Sequence, residues 1–225
     1  MEVIEDIGIN GLKIIQDDSL YRFTSDAVIL TRFASARRGD TVADFCSGSG
    51  IVGVHFYALN PDIKSVDLIE IQKELADISL KSVKLNGLED KFTVINKPIQ
   101  ELGAEYNEKY SLILCNPPYK KKDSGFKNED LKIAMCRHEI TVTQEEIVSV
   151  AAKKLKRGGR LCMCQRIERF TDLIVCMREN GLEPQRIMFV ATSESSAPYL
   201  FMAESVKGIK PQLKVLANFI NGREK

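Results

Sequence analysis

The amino-acid sequence predicts an α/β fold: a seven-stranded, mostly parallel, doubly wound sheet with an antiparallel strand pair at its C-terminal end. Three observations lead to this fold class. Short β-rich runs alternate with amphipathic stretches along most of the chain, which is typical of strands joined by helical crossovers. A glycine-rich stretch follows the first of these runs, where a strand would pass into a helix. The last two runs have no helical pattern between them, and they therefore predict the antiparallel pair.

The predicted core elements follow one another from residue 41 onward. The strands are TVADF (41–45), VDLIE (66–70), FTVIN (92–96), YSLILC (110–115), RLCMCQ (160–165), QRIMFVAT (185–192) and PYLFMAES (198–205). Helices are predicted in the apolar stretch up to Leu59 and at about 71–85, 144–156 and 168–180. Asn-Gly or Gly-Gly pairs end the last three helices, because glycine readily adopts the left-handed conformation at a helix C-terminus.

The N-terminal segment does not follow this alternation. SDAVILTRFAS (25–35) predicts one helix, with Thr24 or Ser25 available as its N-cap. We therefore expect residues 1–38 to form a cap that packs on a single globular domain over residues 39–225.

Composition excludes several classes of protein. The 225 residues are 44% hydrophobic and 28% charged, which is ordinary for a globular domain with a substantial core. No run approaches the ~20 apolar residues of a membrane-spanning helix, and the acidic start lacks the pattern of a signal peptide. Six cysteines are too few for a disulfide scaffold in a chain of this length. The sequence therefore predicts a cytoplasmic protein with reduced thiols.

The net charge of +1 conceals an asymmetry between the two halves of the chain. Residues 1–112 contain 12 Lys/Arg and 18 Asp/Glu, a net charge of −6, whereas residues 113–225 contain 20 and 13, a net charge of +7. A basic C-terminal half indicates possible contact with a polyanion on one side of the molecule, although solvated helix faces would give the same count.

The glycine-rich stretch spells G-x-G-x-x-G with Gly48, Gly50 and Gly53. Glycines at this point allow a tight turn and a close approach of the backbone to a ligand at the helix N-terminus. Glu70 ends the next strand, in the position of a carboxylate that binds a ribose. The pattern fits a dinucleotide, and it equally fits any other cofactor that contains adenosine.

Two further features favour a methyl donor over a nicotinamide. Asp44 ends the first core strand directly before the glycines, where a carboxylate could accept from a cationic amino-acid group but would repel a pyrophosphate. Asn116-Pro117-Pro118-Tyr119 directly follows the fourth strand. Because ligands bind at the carboxyl ends of the strands in an open α/β sheet, both motifs would face the same crevice.

The chemistry of this second motif suits transfer to a planar nitrogen. The lone pair of an exocyclic amine or an amide is delocalised, and two fixed acceptors on its N–H bonds would localise it and direct it at a methyl group. The Asn116 side-chain oxygen and the Pro117 carbonyl can supply these acceptors. Two consecutive prolines make the turn rigid, and Tyr119 can stack on a planar substrate.

With these motifs the sequence resembles the class I S-adenosylmethionine-dependent methyltransferases that modify planar nitrogens. Within this class it is similar to the bacterial tRNA(Val) (adenine-N6)-methyltransferase family. The matching segments are Tyr21 to Leu30, D44-F-C-S-G-S-G-I-V52, E70-I-Q-K-E-L-A76, N86-G-L, N116-P-P-Y119, Arg137-His-Glu139 and Leu155 to Leu161. N-P-P-Y also occurs in DNA adenine and protein glutamine methyltransferases, so only the combination is specific.

The resemblance implies a Rossmann-like methyltransferase fold with S-adenosylmethionine as cofactor. It implies that Asp44, Cys46, Gly48, Gly50, Glu70, Ile71 and Asn116 line the cofactor site, and that the Thr24–Asp26 segment closes over its methionine end. Asn116, Pro117, Pro118 and Tyr119 would hold the target adenine. Apart from the resemblance, Lys120, Lys121 and Lys122 directly follow this motif and could hold phosphates beside a flipped nucleotide, although such a run is also typical of a solvated loop. His138 could act as a base or contact the substrate, or it could be structural.

Two positions depart from the family pattern. Cys46 stands where the family usually has the first glycine of the turn. Pro98 stands where an aspartate usually contacts the cofactor adenine. Because proline lacks that acceptor, we expect adenine selection to depend on backbone groups, on Asn96 or on Gln100.

Other candidate side chains are interpreted as packing. His55 lies in the apolar helix after the glycines, and the spacing of Cys162-x-Cys164 does not match a zinc site. We therefore expect no bound metal. We expect a monomeric enzyme that methylates N6 of an RNA adenine, most simply the tRNA adenosine 3′ of the anticodon. The alternatives are a protein glutamine methyltransferase, a nicotinamide oxidoreductase and a non-catalytic binding module.

Overall fold

A computed structural model describes residues 1–20, 22–117 and 142–222. The strands are β1 (Glu2–Asp6), β2 (Lys13–Asp17), β3 (Thr41–Phe45), β4 (Ser65–Ile69), β5 (Phe92–Ile95), β6 (Tyr110–Cys115), β7 (Leu155–Arg166), β8 (Leu182–Ala191), β9 (Leu200–Lys207), β10 (Lys214–Val215) and β11 (Phe219–Ile220). The helices within these residues are α1 (Ser25–Phe33), α2 (Ile51–Leu59), α3 (Lys73–Leu85), α4 (Gln144–Lys154) and α5 (Phe170–Glu179).

The central sheet has the strand order β10-β8-β9-β7-β6-β3-β4-β5, and β11 also pairs with β8. The run from β7 to β5 is parallel, whereas β9 is antiparallel to both β7 and β8. The seven predicted strands and their C-terminal antiparallel pair are therefore confirmed. The additional strands β10 and β11 contain two residues each, which is too short for side-chain alternation to reveal them.

Helices cover both faces of the sheet, which explains why the residues of its central strands β3, β4 and β6 are mostly buried. Buried side chains of α1 and α2 form one core layer with β3, β4 and β6, for example Leu30, Phe56 and Leu112. Buried side chains of α4 and α5 form the other layer, for example Val148 and Met177. Within the described residues, no helix has the length and apolar character needed to cross a bilayer.

The N-terminal residues contain a β-hairpin that the sequence pattern does not predict. β1 and β2 form a separate antiparallel sheet, and the hairpin is joined to α3 by hydrogen bonds. The Ile15 N–H donates to Ser82 Oγ at 2.9 Å, and the Lys13 N–H donates to Asn86 Oδ1 at 2.8 Å. The predicted helix of this segment is present as α1, and Thr24 is its N-cap residue, although the Thr24 side chain makes no capping hydrogen bond.

One predicted boundary is wrong. Gly158 and Gly159 do not end the helix that precedes them, because α4 ends at Lys154 and β7 begins at Leu155. The glycines lie in an irregularity where the register of β7 against β6 shifts between Tyr110 and Leu112. A Cβ atom on Gly159 would lie 2.8 Å from the Lys156 carbonyl oxygen. The pair therefore serves a bulge within a strand rather than a helix end.

Candidate active site

The glycine-rich turn connects β3 to α2 and brings backbone N–H groups to the carboxyl edge of the sheet. Gly48 and Gly50 have positive φ angles of 55° and 86°, and Cys46 has a φ of 59°. A side chain at positive φ is uncommon outside glycine, asparagine and aspartate. Cys46 therefore adopts the left-handed backbone conformation that glycine favours, as expected for a residue that stands where the family usually has a glycine. No atom lies within 4 Å of a Cβ placed on Gly48, so a ligand can approach the backbone there.

Glu70 holds the turn and the start of the next loop together. Its carboxylate accepts from the Gly48 N–H and the Gln72 N–H, each at 2.8 Å. Only 5% of Glu70 is exposed, and burial raises the pKa of its carboxyl above the ordinary value, while the backbone hydrogen bonds oppose that rise. The carboxylate is thus fixed in the cleft wall. Since a carboxylate offers about four acceptor sites, it can still accept from a hydroxyl group.

Asp44 lies beneath the turn and does not line the cleft. It is fully buried, and its Oδ2 atom accepts from the Gly53 N–H at 2.9 Å, whereas Oδ1 has no hydrogen-bond partner. Burial, with a smaller contribution from the Glu70 charge, raises the pKa of Asp44 to about 8. Direct contact between Asp44 and a cofactor therefore stays a prediction.

The glycine-rich turn and Glu70 border a cleft with an empty volume of about 830 Å³, including space open to solvent. Its wall consists of residues 46–49, 51–52, 69–72 and 97–100 with Phe23, Asn116 and Val142. Among the predicted cofactor residues, Cys46, Gly48, Glu70, Ile71 and Asn116 are thus brought together. Gly50 packs instead against α3 and β4, since a Cβ there would lie 3.0 Å from Leu68 Cδ1.

Asn116 extends the wall of this cleft from the end of β6. Its Oδ1 atom accepts a hydrogen bond from the Cys164 thiol of β7 at 2.8 Å. Pro117, the next residue, is buried. The other predicted substrate residues, which are Pro118, Tyr119, Lys120, Lys121, Lys122 and His138, lie outside the described residues.

The predicted closing segment reaches the cleft through a different side chain. Thr24 is exposed and Asp26 is half-buried, and neither lines the cleft, whereas the neighbouring Phe23 does. Sequence reasoning did not select Phe23, although an aromatic side chain directly before a helix N-cap was an available signal. The role of Thr24 and Asp26 stays a prediction.

The cleft wall also contains residues around Pro98. Pro98 and Gln100 both line the cleft. The Asn96 amide instead donates to the carbonyl oxygens of Glu70 at 2.8 Å and Ile71 at 3.0 Å. Asn96 therefore positions the loop after β4, and of the two predicted side chains only Gln100 faces the ligand space.

The residues interpreted as packing are buried in the structure. His55 lies beside Thr31, with Oγ1 and Nδ1 2.7 Å apart, and burial lowers the pKa of its imidazole. Cys162 and Cys164 lie in the same core layer, as their alternation along the strand predicts. Within the described part of the chain, no three His, Cys, Asp or Glu side chains cluster as a metal site would require.

The donor set fits a ligand that joins a ribose to a cationic amino-acid group. Glu70 provides a fixed carboxylate in the wall, and Asp44 provides a buried carboxyl oxygen without a partner just beneath the turn. A cation at the turn would stabilise the charged form of Asp44. Gly48 leaves room for the ligand itself.

Comparisons with known proteins show which family the chain belongs to. The family model described as the methyltransferase small domain matches residues 24–177. A relative from Parabacteroides distasonis, named tRNA1(Val) (adenine(37)-N6)-methyltransferase, is 24% identical over 84% of this chain and 78% of its own. A relative of the same name from Porphyromonas gingivalis is also 24% identical, over 85% of this chain and 76% of its own.

Among solved structures, one from Agrobacterium tumefaciens is described as a predicted O-methyltransferase. It superposes with a TM-score of 0.69 at 18% identity and covers 89% of both chains. This likeness confirms the Rossmann-like methyltransferase fold. The names of the sequence relatives agree with the resemblance that the motifs indicated. The chain belongs to the methyltransferase small domain family and is an S-adenosylmethionine-dependent methyltransferase.

Proposed function

We propose that the protein methylates N6 of an adenine in RNA, at the tRNA adenosine on the 3′ side of the anticodon. The observation that carries this proposal is the position of Asn116, whose side chain lines the same cleft as Gly48 and Glu70. The shared name of the two curated relatives supports the same target.

The proposed roles follow from the donors and acceptors of each residue. Glu70 accepts from the ribose of the cofactor, and the unhindered backbone at Gly48 contacts its amino-acid part. Asn116 Oδ1 and the Pro117 carbonyl oxygen accept hydrogen bonds from the two N–H groups of the target amine. These acceptors turn the nitrogen lone pair toward the sulfonium methyl group.

When bound, S-adenosylmethionine would supply an electrophilic methyl group, which the target nitrogen would take as the C–S bond breaks and a C–N bond forms. The methylated amine then releases one proton to water, and no strong base is required. The remaining assignments come from the sequence and belong to the proposal. Tyr119 stacks on the adenine, and the lysines 120–122 with His138 contact the RNA nearby. Residues 1–38 act as a cap on the domain, and the enzyme works as a monomer.

The decisive experiment measures transfer of a labelled methyl group to two acceptors. We expect incorporation into tRNA, with N6-methyladenosine found after nuclease digestion at the nucleotide 3′ of the anticodon. Incorporation into a peptide-chain release factor alone would establish a glutamine methyltransferase and reject the RNA target. No transfer to either acceptor, with intact cofactor binding, would indicate a binding module.

Asn116→Ala tests the residue at the centre of the proposal. We expect transfer to fall at least a hundredfold because the amine loses an orienting acceptor, while the Kd for S-adenosylhomocysteine changes less than about threefold. Asn60→Ala is a matched control, since this amide lies at the end of α2, remote from the cleft, and bonds the Phe56 carbonyl. Asn116→Ala activity within a few-fold of wild type would contradict the assigned role.

A further inference from the structure

Asn116 has a partner inside the sheet that the proposed reaction does not itself require. Cys164 lies on the neighbouring strand β7, where Cys115 pairs with Met163, so the next residues of the two strands lie side by side. Cys164 is fully buried, and its thiol donates to Asn116 Oδ1 at 2.8 Å. The contact thus connects the sheet interior to the wall of the cleft.

A carboxamide can turn by 180° and exchange its oxygen for its NH₂ group with little change of shape. Only one orientation suits the transfer of a methyl group to an amine. When the oxygen faces the amine, Asn116 accepts a hydrogen bond from an amine N–H. When the NH₂ group faces the amine, two hydrogen-bond donors oppose each other. The side chain therefore needs a neighbour that distinguishes oxygen from nitrogen.

A thiol can make that distinction. It donates through its single proton, and its sulfur is only a weak acceptor. The orientation with Oδ1 toward Cys164 keeps this hydrogen bond, whereas the flipped orientation replaces it with a weaker N–H···S contact. The carbonyl oxygen has a second lone pair, so it can accept from the thiol and from a target amine together.

We propose that Cys164 is a positioning residue for methyl transfer, whose thiol holds the Asn116 carboxamide with its oxygen toward the target amine. This proposal rests on the proposed role of Asn116. Cys164 does not line the cleft, and in this proposal it affects the transfer through Asn116.

The chain offers a matched control two residues away. Cys162 lies on the same face of β7, is equally buried, and its thiol donates to Glu204 at 3.2 Å instead of to a cleft residue. Truncation of either cysteine to alanine removes the same atom from the same core layer. A purely structural role would therefore affect the two variants alike.

The kinetic test compares Cys164→Ala, Cys164→Ser and Cys162→Ala. We expect Cys164→Ala to lower kcat about tenfold, the value of one hydrogen bond, with KM for the methyl acceptor and Kd for S-adenosylhomocysteine changed less than about twofold. The serine variant keeps a donor and should recover kcat to within about threefold of wild type. Cys162→Ala should leave kcat unchanged. Equal losses in both alanine variants, or no rescue by serine, would overturn the proposal.

A second measurement does not depend on activity or on the identity of the acceptor. The side-chain NH₂ signals of Asn116 in ¹H–¹⁵N spectra can be assigned by their loss in Asn116→Ala. We expect one set of signals in wild type and in Cys162→Ala, and a second or broadened set in Cys164→Ala. Unchanged Asn116 signals in Cys164→Ala would reject the positioning role even if RNA were the correct substrate. If the methyl acceptor proved to be a protein, the RNA target would be rejected, but the expected spectra would still support the positioning role of Cys164.

Discussion

Two glycines of the same turn are required for different physical reasons. Gly48 has a φ of 55°, and no atom lies within 4 Å of the place that a Cβ would occupy there, whereas a Cβ on Gly53 would lie 2.4 Å from Leu68 Cδ2. Gly48 faces the cleft, and Gly53 faces the strand on which α2 packs. Gly48 is therefore required to leave space for the ligand, and Gly53 is required for close packing of α2 on the sheet.

Alanine substitution at the two glycines should separate these effects. We expect Gly53→Ala to lower the free energy of unfolding by about 2–3 kcal/mol through overpacking, more than the gain in helix propensity offsets. Gly48→Ala should cost about 1 kcal/mol, because alanine is strained at positive φ. Cofactor affinity, measured by calorimetry, should fall more in Gly48→Ala than in Gly53→Ala, because only the methyl group added at position 48 enters the cleft. The same order in both measurements would contradict this assignment.

Asp44 should make stability depend on pH. Its pKa is raised from 3.8 to about 8 in the folded protein, so the unfolded chain loses this proton first as the pH rises. The contribution of Asp44 to stability is therefore complete below about pH 4 and is lost progressively up to about pH 8. The loss is on the order of 1 kcal/mol per pH unit.

Asp44→Asn removes this titration and keeps an oxygen for the Gly53 N–H. Urea unfolding at pH 5 and pH 8 should show that wild type loses more stability over this interval than the variant. Parallel pH profiles of the two proteins would show that Asp44 is ionised in the native state.

At the scale of elements, α4 begins in a well-formed capping box close to the cleft residue Val142. The Glu146 N–H donates to Thr143 Oγ1 at 3.2 Å, and the Thr143 N–H donates to the Glu146 carboxylate at 2.7 Å. Two backbone donors that lack helical partners are satisfied by this exchange. The start of α4 is therefore determined locally, by residues three positions apart.

Thr143→Ala should lower the free energy of unfolding by about 1 kcal/mol, measured by urea denaturation. Thr143→Ser keeps the hydroxyl group and should remain within about 0.5 kcal/mol of wild type. A serine variant as unstable as the alanine variant would mean that the threonine methyl group, rather than the cap, is responsible.

At the scale of the whole molecule, a buried arginine and a half-buried arginine join the N-terminal segment to the sheet. Arg160 of β7 is 1% exposed, and it donates to Asp40 Oδ2 at 2.7 Å and to the Ser35 carbonyl oxygen. Arg186 of β8 donates to the Phe33 carbonyl oxygen at 3.0 Å. The end of α1 is thus attached to strands more than a hundred residues away in the chain.

Arg160→Ala should lower the free energy of unfolding by about 3–5 kcal/mol, because it leaves the buried Asp40 carboxylate without its ion partner. Arg157→Ala is the control: this exposed arginine lies three residues earlier, and its loss should cost less than about 0.5 kcal/mol. Similar chemical denaturation midpoints for the two variants would show that the buried pair contributes little.

Local patterns were sufficient for the framework of the fold. The predicted bounds of β3 and β6 agree with the structure, because short β-rich runs followed by turns rich in glycine or proline leave few alternatives. Gly158-Gly159 was interpreted as the end of a helix but lies in a bulge of β7, because the same pair of glycines suits either structure. The β1–β2 hairpin was missed although its Asn10-Gly11 turn, with positive φ at both residues, is a local hairpin signal. Its hydrogen bonds to α3 could not be predicted, because they join residues about 70 positions apart.

By itself, the sequence determined the order of the core strands and helices from β3 to β9, the glycine turn, the position of Glu70 directly after β4 and the motif that starts at Asn116 after β6. Each of these depends on residues adjacent in the chain, whose backbone preferences and alternation act locally. Only the tertiary structure decided that Phe23 lines the cleft, that Asp44 lies beneath it and that Cys164 bonds Asn116. These facts depend on how parallel strands align and how helices pack across them, which are long-range contacts that no local pattern contains.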